Sequence, residues 1–176
     1  VTPTIAGISV GTFTSDQAFT LSGGEAGASV QYSTDNGTTW QAYTVGVTLS
    51  AEGTYQVMAK QSDVAGNPSP NSAAIVLTID KTTPVTPTVN GISDGIFIAN
   101  QSFTVTGGEA GATVQYTINN GAAWQTYNGA VTLSVDGIYK VMARQSDAAG
   151  NVATPSALIT LLIDKTTQWT DIRPGS

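Results

Sequence analysis

One property of this sequence limits its fold more than any motif: it repeats itself at a fixed offset of 84 residues. Gly7 recurs as Gly91, Trp40 as Trp124, Tyr55 as Tyr139 and Asp80 as Asp164, with no gap between them. About 50 of about 84 aligned positions are identical. A unit of that length can bury a core of its own, so the repeat reads as two beads of an array rather than two turns of a solenoid. The boundary is expected within residues 80–84, where a strand pattern ends at Asp80 and Pro84 forbids its continuation. The expected domains are therefore 1–84 and 85–168. Residues 169–176 match nothing upstream and read as a tail, either the start of a further linker or appended sequence, and the chain as a piece of a longer one.

Inside one unit the apolar residues alternate with period two, and β-branched or aromatic runs are bounded by Gly, Asn, Asp and Pro. Helical periodicity is absent. Strands are expected near 4–9, 17–21, 29–33, 40–43, 46–49, 54–62 and 73–79, with the same set 84 residues later. About seven short strands per unit predict an all-β chain of two tandem sandwiches. In the longest strand Tyr55, Val57, Ala59 and Gln61 share one face and Gln56, Met58 and Lys60 the other, so the first set should face the core.

Composition removes most chemistries. There is no Cys and no His, which excludes disulfides, Cys or His zinc sites, thiol nucleophiles and imidazole bases. Twelve Asp plus Glu stand against six Lys plus Arg, a net charge of -6, so no basic stripe exists for nucleic acid or an anionic membrane. Apolar runs such as 73–77 fall well short of the ~20 residues that span a bilayer. The acidic residues are scattered singly and repeat with the fold, which argues against the paired carboxylates of a glycosidase, and no enzyme is expected.

Other local features have a structural explanation beside the chemical one. Asn36-Gly37 and Asn120-Gly121 lie between strands, where Asn and Gly accept the positive φ of a tight turn. The stretch 23–27 is glycine-rich, yet it lacks the spacing and Lys of a phosphate cradle, and Glu25 would repel phosphate. Tyr55 follows Gly53, and Tyr139 follows Gly137, in the manner of the tyrosine corner, whose hydroxyl bonds back to nearby backbone. Trp40 with Tyr43, and Trp124 with Tyr127, fit core or edge packing better than a sugar-stacking platform. The sequons at Asn36 and Asn100 are what a chain so rich in Thr and Ser yields by chance.

Four blocks together carry a resemblance: residues 31–40 with Asp35, Asn36, Gly37 and Trp40; 52–55 with Gly53 and Tyr55; 63–67 with Asp63, Gly66 and Asn67; and 79–84 with Asp80, Lys81 and Pro84. With their copies in the second unit, they resemble the bacterial immunoglobulin-like tandem repeats of giant, type I secreted, RTX-type surface adhesins. The resemblance covers residues 1–168 and implies an extracellular, bacterial cell-surface location. It implies a biofilm or cell-adhesion protein in which such modules act as structural extenders, projecting a distal ligand-binding domain away from the cell. The aspartate- and glycine-rich nonapeptides of calcium-binding toxin repeats are absent. The partners implied are neighbouring immunoglobulin-like repeats of the same chain. The segment itself is expected to be a monomer that neither inserts into a membrane nor binds nucleic acid. The alternative is a carbohydrate-binding or cell-contact β-sandwich module.

The resemblance also implies calcium where modules meet. In a seven-strand sandwich the loops after the second and sixth strands lie at the incoming end. In the second unit those loops hold Glu109, Asp147 and Asn151, and the linker would carry Asp80 towards them. Hard oxygen donors of this kind suit Ca²⁺. The expected ligands are Asp80, Asp147 and Asn151, with Glu109 behind them. The competing explanation is that Asp and Asn beside Gly are ordinary turn formers.

Overall fold

Each unit begins with a strand that its own glycine cuts short. The computed structural model describes residues 1–166, so the expectation for the 169–176 tail lies outside the described residues. The chain divides into two compact units whose main break falls between Thr82 and Thr83. In the first unit β1 (Thr4–Ala6) ends at Gly7, where φ is +98° and a Cβ would stand 2.6 Å from the carbonyl oxygen of Ala18. The chain leaves that sheet there and rejoins the other as β2 (Gly11–Phe13). The remaining strands are β3 (Gln17–Ser22), β4 (Ser29–Ser33), β5 (Gln41–Ala42), β6 (Val47–Leu49), β7 (Gly53–Ser62) and β8 (Ile75–Ile79).

These strands form two sheets, β1-β3-β6 and β2-β8-β7-β4-β5. All pairings are antiparallel except β2 with β8, which is parallel with Phe13 opposite Ile79. The core between the sheets is built on Phe19, Leu49, Val57, Leu77 and Ile79, and Tyr32 packs edge-on against Phe19 at 5.6 Å. On β7 the buried positions are Val57, Ala59 and Gln61, with Tyr55 half-buried on the same face, as the alternation requires.

The second unit repeats the plan: β9 (Thr88–Asn90), β10 (Gly95–Phe97), β11 (Gln101–Thr106), β12 (Thr113–Thr117), β13 (Gln125–Thr126), β14 (Val131–Leu133), β15 (Gly137–Ser146) and β16 (Ile159–Ile163). Its sheets are β14-β11-β9 and β10-β16-β15-β12-β13, around Phe103, Leu133, Val141, Leu161 and Ile163. The architecture is all-β, two sandwiches, and the described residues contain no helix. The unforeseen elements are β2 and β10, which bring each unit to eight strands. Three residues are too few to display a period of two, and these strands exist because Gly7 and Gly91 break the first strand.

Candidate functional site

Gln145 is completely buried on β15 and Gln61 nearly so on β7. A buried carboxamide needs partners, and each Gln finds the same two. Gln145 Nε2 donates to the Val85 carbonyl at 2.6 Å, while its Oε1 accepts the Glu109 backbone N–H at 3.0 Å. Gln61 makes the equivalent bonds to Val1 and Glu25. This clamp ties the incoming segment of each unit to the glycine-rich turn after β3 or β11. Sequence reasoning placed Gln61 on the inner face but missed the clamp, because its partner lies 60 residues away in the chain.

Glu109, one of the expected calcium ligands, sits on this clamp. It is exposed, and its Oε1 accepts the Val85 backbone N–H at 2.7 Å. Asp80 follows β8 in the first unit; its N–H donates to the Phe13 carbonyl and its Oδ1 accepts the Thr82 N–H. Asp147 and Asn151 follow β15, the first half-buried and the second buried. Within neither unit do three or more Asp or Glu side chains gather into one cluster, among the described residues.

The first-unit counterparts of Asp147 and Asn151 have a clear structural occupation. Asp63 Oδ1 accepts the backbone N–H groups of Ala65 and Asn67, and its Oδ2 accepts Asn67 Nδ2 at 2.8 Å. Asn67, through its side chain and then its backbone, holds the Asp63 carboxyl below the usual carboxylate range. Asp35 closes the turn after β4 in a similar way. The Thr39 hydroxyl, the Thr39 N–H and the Ser33 hydroxyl all donate to it, lowering its pKa to about 2. In the second unit Asn119 takes this place, its Oδ1 accepting from Thr117 Oγ1 and the Ala123 N–H. The expected positive φ is found at Asn36 (58°) and Asn120 (60°) and at the glycines after them.

The tyrosine corners form as expected: Tyr55 and Tyr139 hydroxyls donate to the carbonyls of Ala51 and Val135, both at 2.8 Å. Trp40 and Trp124 are half-buried edge residues rather than core. Lys60 Nζ stands 4.0 Å from the Trp40 ring centroid and the Arg144 guanidinium 4.2 Å from that of Trp124, so a cation covers one face of each indole. Trp40 Nε1 is spent on the Gly37 carbonyl.

No protein-family model matches the chain, and no curated protein does. Solved structures do. The fibronectin(III)-like modules of Clostridium thermocellum CbhA superpose with a TM-score of 0.50 at 14% identity, over 92% of this chain and 94% of theirs. Each unit is an immunoglobulin- or fibronectin III-like sandwich. Murine CEACAM1b gives a TM-score of 0.56 at 12% identity, over 92% of this chain and all of that one. The C-terminal 282-residue fragment of intimin, solved with the intimin-binding domain of the translocated intimin receptor, gives 0.50 at 16%, over 93% of this chain and 64% of that one. At these identities the likeness is one of fold. No helix of the described residues is long and apolar enough to cross a membrane.

Proposed function

We propose that the chain is a pair of structural extender modules from a large bacterial cell-surface adhesin, outside the cell, spacing a distal binding domain from its anchor and catalysing no reaction. The observation that carries this reading is that the two units repeat their internal supports as well as their sequence. The Gln clamps, the tyrosine corners and the cation-capped indoles recur at equivalent positions. In both units the clamp Gln, the corner Tyr and the turn residues Asp35 and Asn119 serve the unit's own turns and edges. A module selected for spacing needs this and nothing more.

Force spectroscopy on the chain held at its two ends tests the proposal. Two unfolding events of similar force are expected, each releasing roughly 250 to 300 Å for about 84 residues. A glycan array showing specific binding that Trp124→Ala abolishes in a folded protein would instead establish the carbohydrate-binding alternative. Calcium belongs to the same proposal, with Asp80, Asp147, Asn151 and Glu109 as oxygen donors. Calorimetric titration of chelator-treated protein should give a Kd of about 10⁻⁴ to 10⁻³ M that Asp147→Ala removes; absence of heat would eliminate the ion.

A further inference from the structure

The two units differ in chemical character along the outer face of the five-stranded sheet, at its parallel edge. In the second unit, register places Ile96 on β10 beside Leu162 on β16, and Leu162 beside Ile138 on β15. Ile96 is 74% exposed and Ile138 70%, with Leu162 half-buried between them. The neighbouring outer row is Thr160 beside Lys140, with Asp94 at the far end, where its Oδ1 accepts the Thr160 N–H at 2.6 Å. An apolar row thus lies beside a row that ends in an acid on the β10 side and a base on the β15 side. The first unit has Thr12, Thr78 and Thr54 in the first row, with the Thr54 and Thr78 hydroxyls bonded at 2.9 Å, and Val10, Val76 and Gln56 in the second. The same fold therefore forms with three hydroxyls where the second unit exposes Ile, Leu and Ile, so folding does not require the apolar row.

We propose that this face of the second unit is a self-association surface whose occupant is the same face of a second copy of the chain. The charge arrangement selects that occupant. A twofold axis parallel to β16 places Leu162 over its own copy, Ile96 over the second copy's Ile138, and Asp94 over the second copy's Lys140. Within these two rows each apolar group then meets an apolar group and each charge its opposite, twice over by symmetry. Sheets stacked face to face in sandwiches keep about 10 Å between them, room for one layer of such side chains from each side. An anionic lipid surface would need a net positive patch, and these two rows balance one acid with one base. Three aliphatic side chains with their flanks cover far less than the ~800 Å² per partner of a standard interface. The contact is weak, and copies pair when many modules are held side by side, where effective concentration replaces affinity. The self-association of the chain does not depend on the extender reading, which enters only in supplying many modules held side by side.

Sedimentation equilibrium and NMR shift titration of the whole chain, from about 10 µM to about 1 mM, test it. A reversible dimer with a dissociation constant on the order of 10⁻⁴ M is expected. Shifts should centre on β10, β15 and β16. The triple variant Ile96→Thr, Leu162→Thr, Ile138→Thr installs residues that the first unit already carries; it should melt normally and associate at least tenfold more weakly. Asp94→Lys and Lys140→Asp should each weaken association, and an equimolar mixture of the two should restore it, because each then offers the charge that the other needs. Non-specific stickiness would not respond to that mixing. A chain that stays monomeric at 1 mM, a triple variant that associates like the parent, or a mixture no better than its components would each overturn the proposal.

Discussion

Replacing Gln145 by Leu tests the clamp that fastens the incoming segment of the second unit. The change keeps side-chain bulk while removing the donor to the Val85 carbonyl and the acceptor for the Glu109 N–H. Each hydrogen bond contributes about 1 kcal/mol net, and each backbone group left buried without a partner costs about 1 to 3 kcal/mol. Both bonds are only partly buried, so water can relieve some of that cost, and a loss of about 2 to 4 kcal/mol is expected. A sandwich of this size has roughly 4 to 12 kcal/mol of stability in all. At about 4 to 8 °C per kcal/mol, the second unit's melting temperature should fall by roughly 8 to 32 °C. Scanning calorimetry should show one transition moving and the first unit's staying in place, and hydrogen exchange should show the Glu109 amide losing protection. Gln145→Glu adds a pH signature. A carboxylate in this buried position would face the Val85 carbonyl, so burial raises its folded pKa above the unfolded ~4.3. With a raised folded pKa, the protonated form's stability is present below ~4.3 and lost as pH rises through the folded value. The Glu variant should therefore be more stable near pH 5 than at pH 8. A Leu variant losing less than about 0.5 kcal/mol, or lowering both transitions equally, would refute the reasoning.

Tyr139→Phe removes the corner bond to Val135 and should cost about 1 kcal/mol by chemical denaturation, with Tyr55→Phe costing the same in the first unit. Gly7→Ala combines a φ of +98° with a Cβ 2.6 Å from the Ala18 carbonyl, so the first unit's melting temperature should drop sharply while the second unit's transition is unmoved. Asp35 and Asp63 both have folded pKa values below the unfolded 3.8. Their contribution is present above ~3.8 and lost as pH falls through the folded value, about 2 for Asp35. Asp35→Asn, which imitates Asn119, should flatten the acid limb of the first unit's stability curve measured between pH 2 and 5.

What could be read from the sequence was whatever a short stretch specifies by itself. The alternation of β7 announces its buried face because Tyr55, Val57, Ala59 and Gln61 lie two residues apart, and the tyrosine corner spans four residues. Asn36-Gly37 declares a left-handed turn in two. Features that depend on distant partners stayed hidden. The Gln61 clamp joins residues 60 apart, and β2 is held by parallel pairing to β8, more than 60 residues downstream. Asp63 shows why an acidic residue beside Gly and Asn is ambiguous in sequence. The same oxygens that could bind a cation bind the backbone of their own loop, and only coordinates distinguish the two uses.

The differences between the units separate what the fold requires from what it merely tolerates. At several positions where a side chain holds structure, the second unit substitutes a group that makes the same bond. Asn119 replaces Asp35 and still accepts from the turn, and Thr117 replaces Ser33 as hydroxyl donor. Arg144 replaces Lys60 over the indole, and Asp136 replaces Glu52 as acceptor for the backbone N–H of Lys165 or Lys81. The exchange of Thr12, Thr78 and Thr54 for Ile96, Leu162 and Ile138 follows no such rule. A bonded hydroxyl pair is lost and no buried contact requires the change, while the apolar side chains of this face move from Val10 and Val76 in the neighbouring row to these three positions. Exposed aliphatic side chains add nothing to folding while they stay in water, and gain free energy only when something covers them. Among these paired differences, the outer row of β10, β16 and β15 is the one whose chemistry points away from the unit's own interior.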